Sequence, residues 1–377
     1  MLRAFYAAIM LLAAAIPAAA QGALSVQGLG FPPGQVSTRA EGSGGSTADF
    51  DPLTPINPAA IASVGITSLF LQYAPEFRRV TAGSATASTT TARFPMFGAV
   101  MPMGGTWTAG FSASTFLDRS FETRSERQEP VGAPEDIVTV TERLRVLGAI
   151  NDLRLAMSWA GSPKLRLGAG AHLFTGRNRV TLDELYSDSV RNANSTQSSL
   201  VSYTGFAGSV GLSFHPSRVI GFAVSARKGG ELRASSGDTA RATANVPDRI
   251  SAGITYEGIT GATLSGRVSR ESWSSLEGLS GSAGAFDGWD FSVGAEASGP
   301  RIMQRIVTLR AGARRRTLPF GFNGEEVSET AFMGGFGLPL ARNRATLDFA
   351  AQRATRSASG DVDERGIILS FGLRVSP

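Results

Sequence analysis

The sequence predicts an all-β protein: a transmembrane, antiparallel, up-and-down β-barrel of about fourteen strands behind an N-terminal plug segment. Three observations lead there. In Gly366–Val375, apolar Ile367, Leu369, Phe371, Leu373 and Val375 alternate with mostly small or polar residues, which is a strand with one apolar face. A tilted strand of about 9–11 residues crosses a bilayer, and this pattern recurs along the chain until about fourteen segments are counted. The connections between segments alternate long and short, as the external loops and periplasmic turns of a membrane barrel do.

In chain order, Met1-Leu-Arg3, the apolar run from Phe5 to Ile16 and Ala18-Ala-Ala20 before Gln21 read as a signal peptide over residues 1–20. Residues 21–63 form a second unit, a hatch or plug. Its first part is Gly, Ser, Pro and Ala without period, and Gly42–Ser46 is expected to bury no core. Prolines 52, 55 and 58 forbid a central strand, leaving irregular backbone and one short helical turn after Pro58.

The barrel takes residues 64–377, with strands expected at 66–77, 92–103, 106–120, 140–159, 164–177, 199–214, 218–228, 247–257, 261–272, 287–297, 302–316, 329–338, 343–354 and 364–375. Strand 164–177 sends Leu165, Leu167, Ala169, Ala171 and Leu173 one way and Arg166, Gly168, Gly170 and His172 the other. The polar side faces a polar lumen, where Arg249, Arg267, Arg310 and Arg314 pair with acids such as Asp152, Glu296 and Asp348. The long connections, near 78–91, 121–139, 178–198, 229–246 and 273–286 among others, are expected to be external loops, with 121–139 strongly charged. Trp107, Trp159, Trp273 and Trp289 fall near strand ends, as in an interfacial belt.

Composition narrows the function. The chain has 45 glycines, no cysteine and a formal charge of +5, too weak and dispersed for nucleic acid. Its two histidines, His172 and His215, sit in no nucleophile or metal motif, and Met333–Pro339 lacks the lysine and strand–loop–helix context of a phosphate loop. No catalytic residue, metal or cofactor is indicated, and no enzyme.

Asp49, Asp51 and Asn57-Pro-Ala-Ala-Ile61 resemble the acidic-then-Asn-Pro-Ala hatch signature of the FadL-type (FadL/TodX-like) outer-membrane transporters of hydrophobic compounds. Val246–Tyr256, followed by Leu264–Ser274 with its Trp-Ser close, is similar to that family's paired strands, and Leu318–Leu340 resembles remote members. The resemblance implies a bacterial outer-membrane channel taking up long-chain fatty-acid-like molecules by hatch-gated lateral release. In it, Asn57, Pro58 and Ala59 would hold the hatch. Asn57 also suits the cap of the turn after it. The charged 121–139 connection departs from a ligand-collecting loop. Phe174, Ile306, Met333 and Ile368 are the inward apolar candidates for a ligand path, and packing against the hatch is their other reading. The implied partners are a hydrophobic small molecule and outer-membrane lipid, with the chain a monomer. The alternative is a non-transporting barrel of the same fold serving as a binding or secretion partner. A general porin is a third reading, against which the plug argues.

Overall fold

A computed structural model of the chain describes residues 24–377 apart from 84, 131–136, 189–191, 238, 303, 342–343 and 359–361. The 1–20 signal peptide therefore lies outside the described residues. No described helix is long and apolar enough to cross a membrane; the crossing elements are strands. In order these are β1 (Ser68–Ala82), β2 (Ala85–Gly104), β3 (Trp107–Asp118), β4 (Phe121–Pro130), β5 (Ile137–Ser162), β6 (Leu165–Tyr186), β7 (Ser195–Phe214) and β8 (Ile220–Ser236). They continue as β9 (Thr239–Asn245), β10 (Arg249–Ile259), β11 (Ala262–Glu271), β12 (Gly288–Ile302), β13 (Arg305–Thr317), β14 (Ser328–Leu340), β15 (Ala345–Ser357) and β16 (Val362–Val375).

The ring closes where β1 pairs β16, Leu71 opposite Leu373 and Phe77 opposite Ile367. The sixteen strands of the described residues make fourteen positions around the ring, because two positions are broken. β3 pairs the inner half of β5 up to Asp118–Ala149, and β4 pairs its outer half from Phe121–Val146. In the same way β10 and β9 share β8, through Ala226–Ile250 and Leu232–Ala244. The second break is Val246-Pro-Asp248, where proline has no ladder N–H to give. The two Arg227 donors Nε and Nη2 take the Pro247 carbonyl instead, at 3.3 and 3.2 Å.

The outward residues are the apolar ones. Leu155, Ile250 and Phe332 are 66, 64 and 66% exposed, an inversion of the soluble rule that makes sense only against lipid. The core lies inside, formed by inward side chains and the N-terminal segment. Ser37 caps the short helix Thr38–Gly42 by accepting from Ala40 N at 3.2 Å. Asn57 caps a 3-10 turn at Pro58–Ser63 by accepting from Ala59 N at 2.9 Å.

Three expectations are corrected. The connections at 78–91, 121–139, 178–198 and 229–246 are largely strand, extending hairpins such as β4–β5 and β6–β7 beyond the apolar band. A strand wet on both faces carries no apolar alternation, so periodicity misses it; cross-strand charges hold it instead. Arg143 grips Glu122 at 2.8 and 2.9 Å, and Arg127 reaches Glu142 and Glu184 at 3.2 Å each. Gly42–Ser46 is buried, with Ser43 and Ser46 wholly enclosed, because backbone groups rather than side chains do the packing there. Trp273 is not in the interfacial belt. The 273–283 connection folds inward in short helical turns, and Trp273 stacks on Phe116 inside the mouth at 5.2 Å. Trp107 and Trp289 do point outward, about half exposed.

Candidate functional site

Three features occupy the lumen: the seat of the N-terminal segment, an ionic layer, and a gap in the wall. The seat is centred on Asp49 and Asn57. Asp49 accepts from Ser225 Oγ and Arg267 Nε, both at 2.9 Å, and from Ser251 Oγ, which ties it to β8, β10 and β11. Asp51 stays within the segment, accepting from Thr54 Oγ1 at 2.8 Å and from Ser37 Oγ. The Asn57 amide donates to the Asp49 carbonyl at 2.9 Å and to the Leu212 carbonyl of β7 at 3.3 Å. One side chain thus caps the turn and holds the wall. Pro58 and Ala59 are buried beside it. The wall comes close enough only because it is glycine there. A Cβ on Gly211 would stand 1.9 Å from Asn57 Oδ1, and one on Gly312 2.3 Å from the Ser43 carbonyl carbon.

Farther out, Arg356 is fully buried between three carboxylates. It donates to Glu76 at 2.8 Å, to Glu329 at 2.7 Å and to Glu364, so strands β14, β15, β16 and β1 meet at one guanidinium. Glu329 also takes Arg316 at 2.8 Å and Arg314 at 3.2 Å; Glu76 also takes Arg78 and Arg93. At the centre sits Phe31 of the N-terminal segment, its ring centroid 4.3 to 5.6 Å from Arg356, Arg316, Arg78 and Arg93. Glu364 accepts the backbone N–H of Leu24 and Ser25 at 3.1 and 3.2 Å. These residues were missed as a group; extending the inward parity of Asp348 along strand 343–354 to Arg356 would have found its centre.

The gap lies between β2 and the broken β3–β4 position. β2 pairs β3 only from Met96–Ser114 to Gly104–Trp107, so its outer half has β1 on one side and no ladder on the other. A cavity of about 490 Å³ opens there, lined by apolar Phe94, Phe121 and Leu147, by the hydroxyls of Thr91, Thr115 and Ser120, and by the charged Arg93, Asp118, Glu122 and Arg145. Its inner side is stopped by the N-terminal segment. Phe31 and Asp118 exchange both backbone hydrogen bonds at 2.8 Å, next to the Arg119–Ser120 break.

The four path candidates do not converge. Phe174 is fully buried in an apolar cluster with Phe116, Leu232 and Trp273 under the mouth. Met333 packs with Ala331 and Ala354. Ile368 stands opposite Glu76, and Ile306 is 47% exposed at the short-turn end, opposite Arg301. Near the mouth a cavity of about 50 Å³, lined by Arg249, Arg316, Trp273 and Gln35, has room for a water or two. The His172 ring joins Asp152 at 2.9 Å and Ser209 at 2.8 Å, a line that spacing alone did not reveal. Ser209 is 5% exposed, which leaves its hydroxyl no open face for a substrate, and Gln35 of the N-terminal segment donates to Asp152 at 2.9 Å.

No family model matches the chain, and no curated protein matches it in sequence. Solved structures do match in fold. A Pseudomonas aeruginosa FadL homologue superposes with a TM-score of 0.60 at 14% identity, over 92% of this chain and 99% of its own. The monoaromatic hydrocarbon channel CymD gives 0.58 at 15%, over 91% and 97%. The Pseudomonas putida toluene transporter TodX gives 0.55 at 14%, over 96% and 99%.

Three measurements check this geometry. Arg356→Ala strands three buried carboxylates and should destabilise the refolded barrel by about 3–5 kcal/mol in urea unfolding. Gly211→Val should leave the barrel folded, judged by its heat-modifiable gel mobility, but unseat the 57–59 turn and expose residues 24–63 to protease. Burial raises the Glu41 carboxyl of the short helix from near 4.5 to about 7, against the opposing pull of Ser370, Arg314, Gln72 and Arg316. Below the lower value the acid is protonated whether the segment is seated or released. Between the two only the seated form keeps its proton, so seating weakens as pH rises through that window and stays at its weakest above about 7. Protease access to 24–63 should therefore be greater at pH 8 than at pH 5.5, and Glu41→Gln should remove the difference. The chain has the fold of the FadL-type channels.

Proposed function

We propose that the chain is a bacterial outer-membrane channel for hydrophobic small molecules, with residues 21–63 as its hatch, and that it releases cargo sideways through the β2–β3 gap. The observation that carries this reading is the gap itself: an opening beside the unpaired outer edge of β2, near outward Phe94, whose inner side is stopped by Phe31 and Asp118. An apolar solute gains nothing from entering water on the far side, but gains by passing sideways into lipid. The named cargo of the structural neighbours, toluene for TodX and monoaromatic hydrocarbons for CymD, supports the same class. A long-chain fatty-acid-like molecule is the cargo suggested by the sequence resemblance.

The mouth cavity near Arg249 holds only about 50 Å³, so binding requires the 24–35 stretch to move. The Phe31–Asp118 bridge is the contact whose release joins lumen to gap. Asn57, Pro58 and Ala59 anchor the inner end of the hatch while the outer end moves. The second reading, a non-transporting barrel of the same fold serving as a binding or secretion partner, draws on the filled, ionic lumen.

Deleting residues 22–62 should raise single-channel conductance in planar bilayers; unchanged conductance would sink the hatch assignment. Ser120→Trp, which fills the gap, should cut uptake of a radiolabelled apolar solute several-fold without opening the pore. Mass spectrometry of small molecules retained by wild type and lost in Phe174→Arg gives the cargo class, and nothing retained in either favours the partner role.

A further inference from the structure

On the long-connection side, the apolar band of β13–β16 and β1 ends in a row of cations. Arg315 lies opposite Thr330, Thr330 opposite Thr355, Thr355 opposite Arg365, and Arg365 opposite Arg79. Arg353 sits one pleat inward, opposite Ile367. All four arginines are exposed on the outer face. None forms a salt bridge or hydrogen bond among the described residues, whereas outward Arg270 is held by Asp287 and Arg143 by Glu122. The nearest outward acid by register is Asp363, one pleat farther out, opposite Thr81 and Ser357.

Like charges placed directly opposite on paired strands repel, and here Arg365 and Arg79 do so with no carboxylate in their row. A phosphate between them turns repulsion into attraction, since guanidinium forks match phosphate oxygens and the threonine hydroxyls add donors. Just inward, Phe77 and Ile367 are about half exposed, and Phe371 packs against Phe349 at 5.2 Å. The surface is therefore cationic above and apolar below, the complement of a phosphorylated headgroup on acyl chains, and arginines at this level attract anionic lipid.

We infer that this face binds the phosphorylated glycolipid of the outer leaflet, lipid A, with its phosphates on Arg79, Arg365, Arg315 and Arg353 and its acyl chains on Phe77 and Ile367. The inference rests on the outer-membrane placement and not on transport, and a detergent assay tests it without either. Full-length refolded chain is incubated with bisphosphorylated lipid A and examined by native mass spectrometry. Wild type should carry one lipid A. The double variant Arg79→Ala/Arg365→Ala, shown to be folded by its heat-modifiable mobility, should lose at least fivefold in occupancy. Dephosphorylated lipid A should bind wild type as weakly as lipid A binds the variant. Equal occupancy in wild type and variant overturns the inference. So does equal binding of phosphatidylglycerol, which makes the face a general anion surface, or an equal loss in Arg177→Ala/Arg179→Ala, which makes the effect one of net charge.

Discussion

A closed ring of fourteen strands is wider than the side chains on its inner wall can fill, since about eight strands is the size at which a barrel packs itself. Everything inside this protein answers that constraint. The N-terminal segment supplies the missing volume, and it does so largely as backbone, which forces the wall to be glycine where the two meet at Gly211 and Gly312. Where the segment thins toward the mouth, charge takes over from packing. Arg356, Glu76, Glu329 and Glu364 are buried together, at a desolvation cost that only mutual pairing offsets. The layer also fixes where the segment lies, because its carboxylates hold Leu24 and Ser25 and its guanidiniums surround Phe31.

The segment and the wall are therefore one mechanical unit. Asn57 pins one end to β7, Asp49 pins the middle to three other strands, and Phe31 reaches the broken strand position. Arg93 links the last of these to the ionic layer, since it contacts both Glu76 and Asp118. The outer end of the segment meets the wall beside the Arg119–Ser120 break, some twenty-five residues along the chain from the Asn57 seat. The lipid-facing arginines of β13–β1 stand apart from this unit, on the opposite side of the same strands.

Much of this was legible in the residues. Alternation placed the membrane crossings, and in strand 164–177 its two faces, with His172 inward and Leu167 outward, because lipid enforces the period more strictly than water does. The alternation of long and short connections was equally plain. What stayed hidden has a common cause. Strands β4 and β9 and the outer end of β6 have no continuous greasy face, and Thr, Ser, Arg and Glu in a wet hairpin look like loop. Gly42–Ser46 looked coreless because its burial is made by carbonyls and small side chains. Trp273 was misplaced since a residue near a strand end has two directions available, outward to the interface or inward over the mouth, and only packing against Phe116 decides. The three-residue line Asp152–His172–Ser209 needs the register of three strands before it exists at all.

The long hairpins have a meaning beyond pairing. The part of β5 outside Gly148 continues for roughly 35 Å at the usual strand rise, braced on both sides by β4 and β6. Carried by a cell, that blade stands clear of the lipid and its acids and arginines neutralise one another at short range. In the outer-membrane placement proposed above, it is a stiff, nearly charge-balanced surface, the part that an antibody or a phage tail fibre would meet first.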